Sequence, residues 1–280
     1  MKRNEVQTDL EVPAFNNMSD NILVIMSDNR DITSNIDDCD YNTLCALINY
    51  NYCQKNNYGF KYFRPHNNGD FSLYNCYSPS KFLRHSSWAK LLTTIKSINE
   101  YEQYDYIVYI DSDCIFNNIN LTIQDYYKNL KIVNNGDVNK SNLLFLNDRP
   151  WHPKTPCAGY YILKNDNKSL KVIKDWYSLD GEGIEQCNIT HPYEQWAVYK
   201  MFELTNPEEL LIIDDVMFED SHKEQFLRHI GTHEKNNRIP FFKNKITELS
   251  LFDNFNDLVN NLKMEIVEYD TNKIIEEHYG

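Results

Sequence analysis

The sequence is poor in glycine and proline, with eight and nine of 280 residues spread along the chain. That excludes collagen-like and Pro/Gly-rich disordered architectures. No stretch approaches the roughly 20 apolar residues that cross a bilayer. The opening MKRNEVQTDLEVP also lacks the apolar core of a signal peptide. The expectation is therefore an intracellular, cytoplasmic protein with no membrane span. The seven cysteines (Cys39, Cys45, Cys53, Cys76, Cys114, Cys157 and Cys187) are odd in number and never spaced as CxxC, so neither a disulfide framework nor a zinc site is indicated. Positive charge is the remaining scarcity. Lys and Arg number 28 against 41 Asp and Glu, a net charge of −13, which repels polyphosphate backbones and disfavours a nucleic-acid partner. Nothing in the sequence fixes an oligomeric state.

What is present reads as one substantial α/β domain. Residues 1–20 are polar and patternless, a flexible segment. Ile22 to Met26 is an apolar run ending in Ser27-Asp28, a first buried strand. From Tyr41 to Asn57 apolar residues recur at helical spacing before Gly59, and Phe60 to Phe63 is a short strand. That β-α-β opening belongs to a parallel sheet. A loop over residues 65–80 leads to a helical stretch running from Phe82 to Ile98, and then to the apolar run Tyr106 to Ile110. Further strands are expected at Leu143–Leu146, Tyr160–Leu163 and Leu210–Ile213, with helices around 168–178 and 193–203. The main domain spans 21–245, and 246–280 is expected as a helical extension packed on it.

The chemistry concentrates where the run Ile107-Val-Tyr-Ile110 ends in Asp111-Ser112-Asp113. Open α/β sheets bind ligands beyond the carboxyl ends of their strands. With a side-chain period of two, both acids project to one side, so their oxygens can converge on a hard cation such as magnesium or manganese. Two such charges repel each other, and a cation or a shared proton relieves the repulsion. The competing reading is a solvated turn, for which Asp-Ser-Asp is also good chemistry.

A second cluster lies downstream, where His229-Ile-Gly231 and Lys235 form an H-x-G-x-x-x-K arrangement in the most basic stretch of an acidic chain. A neutral imidazole can complete a cation's coordination. A glycine lets the backbone approach a phosphate, and a lysine offers it a point charge.

These pieces together resemble the retaining glycosyltransferases of family 34, the galactosyl-, xylosyl- and mannosyltransferase group, and more distantly the glycogenin-like family 8. The resemblance covers roughly residues 22–235. Trp88-Ala-Lys90 precedes Asp111-Ser-Asp113 as W-x-K precedes D-S-D in the family. Cys157-Ala-Gly-Tyr-Tyr-Ile-Leu-Lys-Asn165 takes the place of an N-A/T-G segment, with Cys157 where the family usually has Asn. His191-Pro-Tyr-Glu-Gln-Trp-Ala197 resembles its acidic helix-opening element. His229-Ile-Gly231 and Lys235 resemble its closing motif, with Lys235 one residue later than in family 8.

The resemblance implies a GT-A (Rossmann-like nucleotide-diphospho-sugar transferase) single domain with a mixed, mostly parallel central sheet. It implies a UDP- or GDP-sugar donor, a glycan or other hydroxyl acceptor, and Mn2+ or Mg2+. Asp111, Asp113 and His229 would hold the metal, Asp111 and Ser112 meeting the donor as well. Ser27 and Asp28 would receive the nucleoside, Gly231, Lys235 and Lys90 the diphosphate. Glu194 and Gln195 would lie near the anomeric carbon. Two other readings compete with this one. In the first, a haloacid-dehalogenase-like phosphatase has Leu210-Leu-Ile-Ile-Asp214-Asp215 as its second acidic motif. In the second, the chain is a non-catalytic sugar-binding module.

Overall fold

The apolar runs become strands buried on both faces. Ile22–Ser27 (β1) and Tyr106–Ile110 (β5) are joined in parallel register, Ile22 opposite Tyr106 through Ile25 opposite Tyr109. In β1 and β5, Val24, Val108 and Ile110 point into one apolar cluster while Leu23, Ile25, Ile107 and Tyr109 point into the other. This alternation into two cores explains why both runs are continuously hydrophobic. The computed structural model describes residues 18–127, 141–149, 152–180, 183–205, 210–216, 226–264 and 266–279. Most of the expected N-terminal segment lies outside them.

In chain order the elements after β1 are α1 (Tyr41–Lys55), β2 (Gly59–His66), β3 (Cys76–Tyr77), β4 (Leu83–Arg84), α2 (Ala89–Glu100) and β5. These are followed by β6 (Cys114–Phe116), α3 (Ile123–Tyr127), β7 (Leu143–Arg149), β8 (His152–Lys164), α4 (Asn167–Ser178), α5 (Glu185–Ile189) and α6 (Glu194–Thr205). The chain continues through β9 (Leu210–Val216), β10 (Leu227–His229), α7 (Arg238–Glu248), α8 (Phe255–Met264), β11 (Ile266–Asp270) and α9 (Thr271–Tyr279).

The main sheet has seven strands in the order β11-β2-β1-β5-β8-β7-β9. Strand β8 runs antiparallel to both neighbours, and the other pairings are parallel. The sheet is therefore mixed and mostly parallel. Helix α1 and the C-terminal α7 and α8 pack on one face, α2 and α4 on the other. Because β2 lies on one side of β1 and β5 on the other, the carboxyl ends of β1 and β5 flank a crevice, the usual ligand position in such sheets. All seven cysteines are buried and free. No helix among the described residues is long and apolar enough to cross a membrane.

Three local expectations change. Phe82 and Leu83 do not open a helix. Leu83–Arg84 pairs with Cys76–Tyr77, and a 3-10 turn over Ser86–Trp88 precedes α2. The cause is Arg84, which is buried and donates to Asn188 Oδ1 (2.7 Å), Tyr177 O (2.6 Å) and Leu179 O (2.7 Å), fixing the chain in an extended path. Next, the boundary expected at residue 246 falls inside α7. Finally, the C-terminal segment is not helical throughout, since β11 extends the sheet in parallel register with β2, Ile266 opposite Tyr62. Thr271 Oγ1 then donates to Asn75 O at 3.3 Å, tying α9 to the body.

Candidate active site

Asp111 and Asp113 leave the end of β5 where Asp111 N donates to Gly159 O of β8 (2.9 Å) and Ile230 N donates to Asp113 O (2.9 Å). These bonds pin the acidic turn between β8 and the segment after β10. Strand β10 pairs antiparallel with β6, His229 opposite Cys114, and so carries the imidazole to the aspartates. His229 Nε2 lies 2.9 Å from Asp113 Oδ1. One ligand atom each from Asp111, Asp113 and His229 lie within 4.8 Å of one another. Two carboxylates and an imidazole at this spacing are a donor set suited to a hard or borderline divalent cation.

Gly159 explains why a glycine stands in the middle of β8. A Cβ there would come within 3.0 Å of His229 Cε1 and 3.2 Å of Asp111 Oδ2. The strand passes against the converging ligands, and any larger residue would press on both.

Each aspartate has its own cation. Lys90, in the first turn of α2, is brought here because Trp88 is buried and its Nε1 donates to Cys187 O at 3.0 Å. Lys90 Nζ lies 2.9 Å from Asp111 Oδ1 and 2.6 Å from Glu194 Oε1, and donates to Ala158 O at 3.1 Å. With Asp111 Oδ2 at 3.1 Å, four oxygens from three residues surround the ammonium. The ammonium is thus the internal counter-ion of two carboxylates at the edge of the cleft. Burial opposes its charge, but Asp111 and Glu194 outweigh burial and raise its pKa. Tyr109 OH also donates to Asp111 Oδ1 at 2.9 Å.

On the other side, Arg238 of α7 donates through Nε to Ile230 O (2.7 Å) and through NH2 to Asp113 Oδ2. No motif pointed to Arg238. Burial and the neighbouring Asp113 and Glu194 charges push the Asp111 carboxyl above the ordinary range, Lys90 and His229 opposing them. For Asp113 burial acts upward too, yet the His229 imidazole and the Arg238 guanidinium prevail and hold it below. Burial disfavours the His229 cation, but Asp113 reverses that and raises its pKa well above the usual value.

These residues form the floor of a cleft of about 640 Å3. Ser27, Asp28, Arg30, Tyr41 and Ser112 line it beside the aspartates. Ser27 Oγ sits 3.2 Å from Tyr109 OH. Asp28 accepts from Arg30 Nε (2.8 Å) and Arg30 N (2.9 Å), so its carboxylate is held by a neighbour. Arg30 NH2 donates weakly to Ser112 Oγ at 3.4 Å. The Tyr41 ring lies between two guanidiniums, Arg30 at 4.0 Å and Arg238 at 4.6 Å. Glu194 and Gln195, which open α6, also line the cleft, and Gln195 Oε1 accepts from Ala158 N (3.1 Å), leaving the amide nitrogen as the donor end. Gly231 lines the cleft, and Lys235 lies in the 3-10 turn Thr232–Asn237, its side chain outside the described residues. Thus Ser27, Asp28, Lys90, Asp111, Ser112, Asp113, Glu194, Gln195, His229 and Gly231 all meet at one cleft.

In the main sheet, strands β8 and β7 separate β9 from β5. The Asp214 and Asp215 side chains lie outside the described residues.

The model of the galactosyl transferase GMA12/MNN10 family matches residues 18–181, more than half of the chain. A comparison with curated proteins finds no match. Among solved structures 23 chains match. One is a glycosyltransferase involved in the glycosylation of the major capsid of PBCV-1, with a TM-score of 0.56 at 16% identity, covering 79% of this chain and 98% of that one. At that identity the likeness speaks for a shared fold, the GT-A type of α/β arrangement.

Proposed function

The chain belongs to the galactosyl transferase GMA12/MNN10 family, and from that premise we propose that it is a metal-dependent glycosyltransferase acting on a UDP- or GDP-sugar. It moves a hexose or pentose to a hydroxyl of a glycan or similar acceptor, with retention at the anomeric carbon. The observation that carries this reading is the convergence of Asp111, Asp113 and His229 within 4.8 Å at the floor of a cleft of about 640 Å3. Small-molecule sites commonly have that size.

Asp111, Asp113 and His229 would hold Mn2+ or Mg2+. The bound ion supplies positive charge where a departing diphosphate becomes negative. The chain's own residues do the rest. Ser27, Asp28 and Ser112, with Arg30 and Tyr41, take the nucleoside end. Gly231 allows the backbone close to the phosphates, and Lys235 offers them a further charge. Lys90 holds Asp111 and Glu194 in place as a positioning residue. Gln195 presents its amide donor near the anomeric carbon, and Glu194 flanks the same atom. In the transfer, the bond between C1 and the β-phosphate oxygen breaks with its electrons leaving on the diphosphate. The acceptor's hydroxyl oxygen bonds to C1, and its proton passes to the departing phosphate oxygen.

Three measurements test this. UDP or GDP should raise the melting temperature only when manganese is present, and a panel of nucleotide sugars should reveal one hydrolysed in a metal-dependent way. Stabilisation by nucleotide without metal, or release of phosphate from generic phosphomonoesters instead, would sink the proposal. Product NMR should show the donor's anomeric configuration kept, and an inverted product would remove the retention claim. A purely sugar-binding module would give the thermal shift with a glycan and no hydrolysis with any donor.

A further inference from the structure

Part of the cleft takes no share in holding a cation or a diphosphate. Tyr193, immediately before Glu194, has φ of 52°, a left-handed backbone that a bulky L-residue adopts only under constraint. Its ring lies flat against the His85 imidazole, with centroids 3.9 Å and planes 4° apart. Tyr74 meets His85 edge-on, with ring centroids 5.5 Å apart. Leu73 lines the cleft beside His85 and Tyr193, and Leu73 and Tyr74 are 57% and 44% exposed. Burial holds His85 toward its neutral form, so the shelf is largely apolar.

The inner end of this shelf is Glu194, 4% exposed. Lys90 engages Glu194 Oε1 at 2.6 Å, while Glu194 Oε2 is buried with no hydrogen-bond partner. That oxygen is an acceptor with no donor from the protein. A hydroxyl acceptor next to flat ring faces suits a pyranose, whose hydroxyls donate at its edge and whose C–H face packs on an aromatic ring. An apolar surface opening from a polar cleft is a recognised mark of a binding site.

We propose that His85, Tyr193, Tyr74 and Leu73, ending at Glu194 Oε2, form the subsite for the pyranose ring of the acceptor glycan. The proposal rests on the transferase reading above. The acceptor is favoured over the donor's own sugar because the surface rises from an almost fully buried carboxylate to a half-exposed rim. An oligosaccharide can enter along such a path, whereas the donor must fold against the cation ligands on the floor. A neutral shelf also fits an uncharged sugar better than an anionic lipid headgroup.

Saturation-transfer difference NMR on the full chain tests this, with both anomers of the methyl pyranosides of glucose, galactose, mannose and xylose as probes. At least one glycoside should receive saturation on its C–H face. Tyr193→Asn keeps a residue that tolerates the left-handed backbone, and Tyr74→Ser alters an exposed position. Each should weaken that glycoside about tenfold while the manganese-dependent thermal shift with UDP or GDP persists. Glycoside binding untouched by both variants, or no glycoside binding in the unchanged protein, would overturn the subsite. So would loss of the nucleotide shift in Tyr193→Asn with glycoside binding intact, which would assign the shelf to the base, and a rise in KM for the nucleotide sugar alone, which would assign it to the donor. Absence of any nucleotide shift in the unchanged protein would instead overturn the transferase reading itself.

Discussion

Asp111 and Asp113 leave the same strand end two residues apart, yet they sit in opposite halves of the site. Asp111 belongs to the inner half, built by α2, β8 and α6, where Lys90 bridges it to Glu194 in a pocket with Lys90 only 3% exposed. Asp113 belongs to the outer half, built by β10 and α7, where His229 and Arg238 cover its two oxygens. Burial and neighbouring acids raise the Asp111 carboxyl, whereas the imidazole and guanidinium lower that of Asp113. The difference teaches that three acids are already balanced by protein cations. A metal ion held by these acids would therefore compete with protein partners, on Asp113 with the Arg238 guanidinium.

The largest effect should follow from breaking the outer half. Asp113→Asn keeps the shape and removes a charged ligand, so glycosyl transfer should fall by about 10^3-fold or more. UDP or GDP stabilisation should lose its dependence on manganese. A variant retaining more than a tenth of the activity would show that Asp113 is no ligand.

The inner half should answer differently, through stability. Lys90→Met leaves the buried Glu194 carboxylate and the partly exposed Asp111 carboxylate without their counter-ion, a loss of about 3 kcal/mol measurable as a lower urea midpoint. The pH dependence has a definite sign. A buried carboxyl raised above its unfolded value takes up protons on folding, so it destabilises the native state at high pH and that penalty fades as pH falls. The deficit of Lys90→Met should therefore shrink on acidification, and a deficit that grows would contradict the pairing.

The two halves also differed in how well the sequence revealed them. Ile22 to Met26 and Tyr106 to Ile110 announced buried parallel strands because strands covered on both faces need unbroken apolar runs. Asp111 and Asp113 were legible from the strand end. His229 is legible as a candidate ligand from its H-x-G-x-x-x-K cluster and from the family resemblance, whereas its distance to Asp113 is set by folding and not by spacing. Arg238 contacts Asp113 from 125 residues away and belongs to no motif, so nothing local marked it. For Lys90, the W-x-K motif gives the position but not the two carboxylates that meet the ammonium. Strand β11 escaped because an edge strand of five residues carries too few positions for its period to stand out from that of adjoining helices.

Arg238 offers the sharpest test of competition in the outer half. Arg238→Gln removes the cation on Asp113 Oδ2 but keeps a hydrogen-bonding side chain. Manganese affinity without nucleotide, read by electron paramagnetic resonance of free Mn2+, should tighten about tenfold, equivalent to about 1.4 kcal/mol. A residue that merely braced the fold would leave that affinity unchanged or weaken it.

Gly159 lies where the halves meet, and its replacement should have the smallest effect. In Gly159→Ala the new Cβ would stand 3.0 Å from His229 Cε1 and 3.2 Å from Asp111 Oδ2, one contact from each half. Both ligands must give by a few tenths of an ångström, and cation sites are selective at about 0.2 Å. The strand itself tolerates alanine, and Asp111 N can still donate to the carbonyl of residue 159. Manganese affinity should therefore fall about threefold to tenfold, while stability changes by less than about 1.5 kcal/mol. Unaltered affinity in a folded Gly159→Ala would mean that the ion does not sit between Asp111 and His229. The inner and outer halves would then be separate sites sharing one strand end.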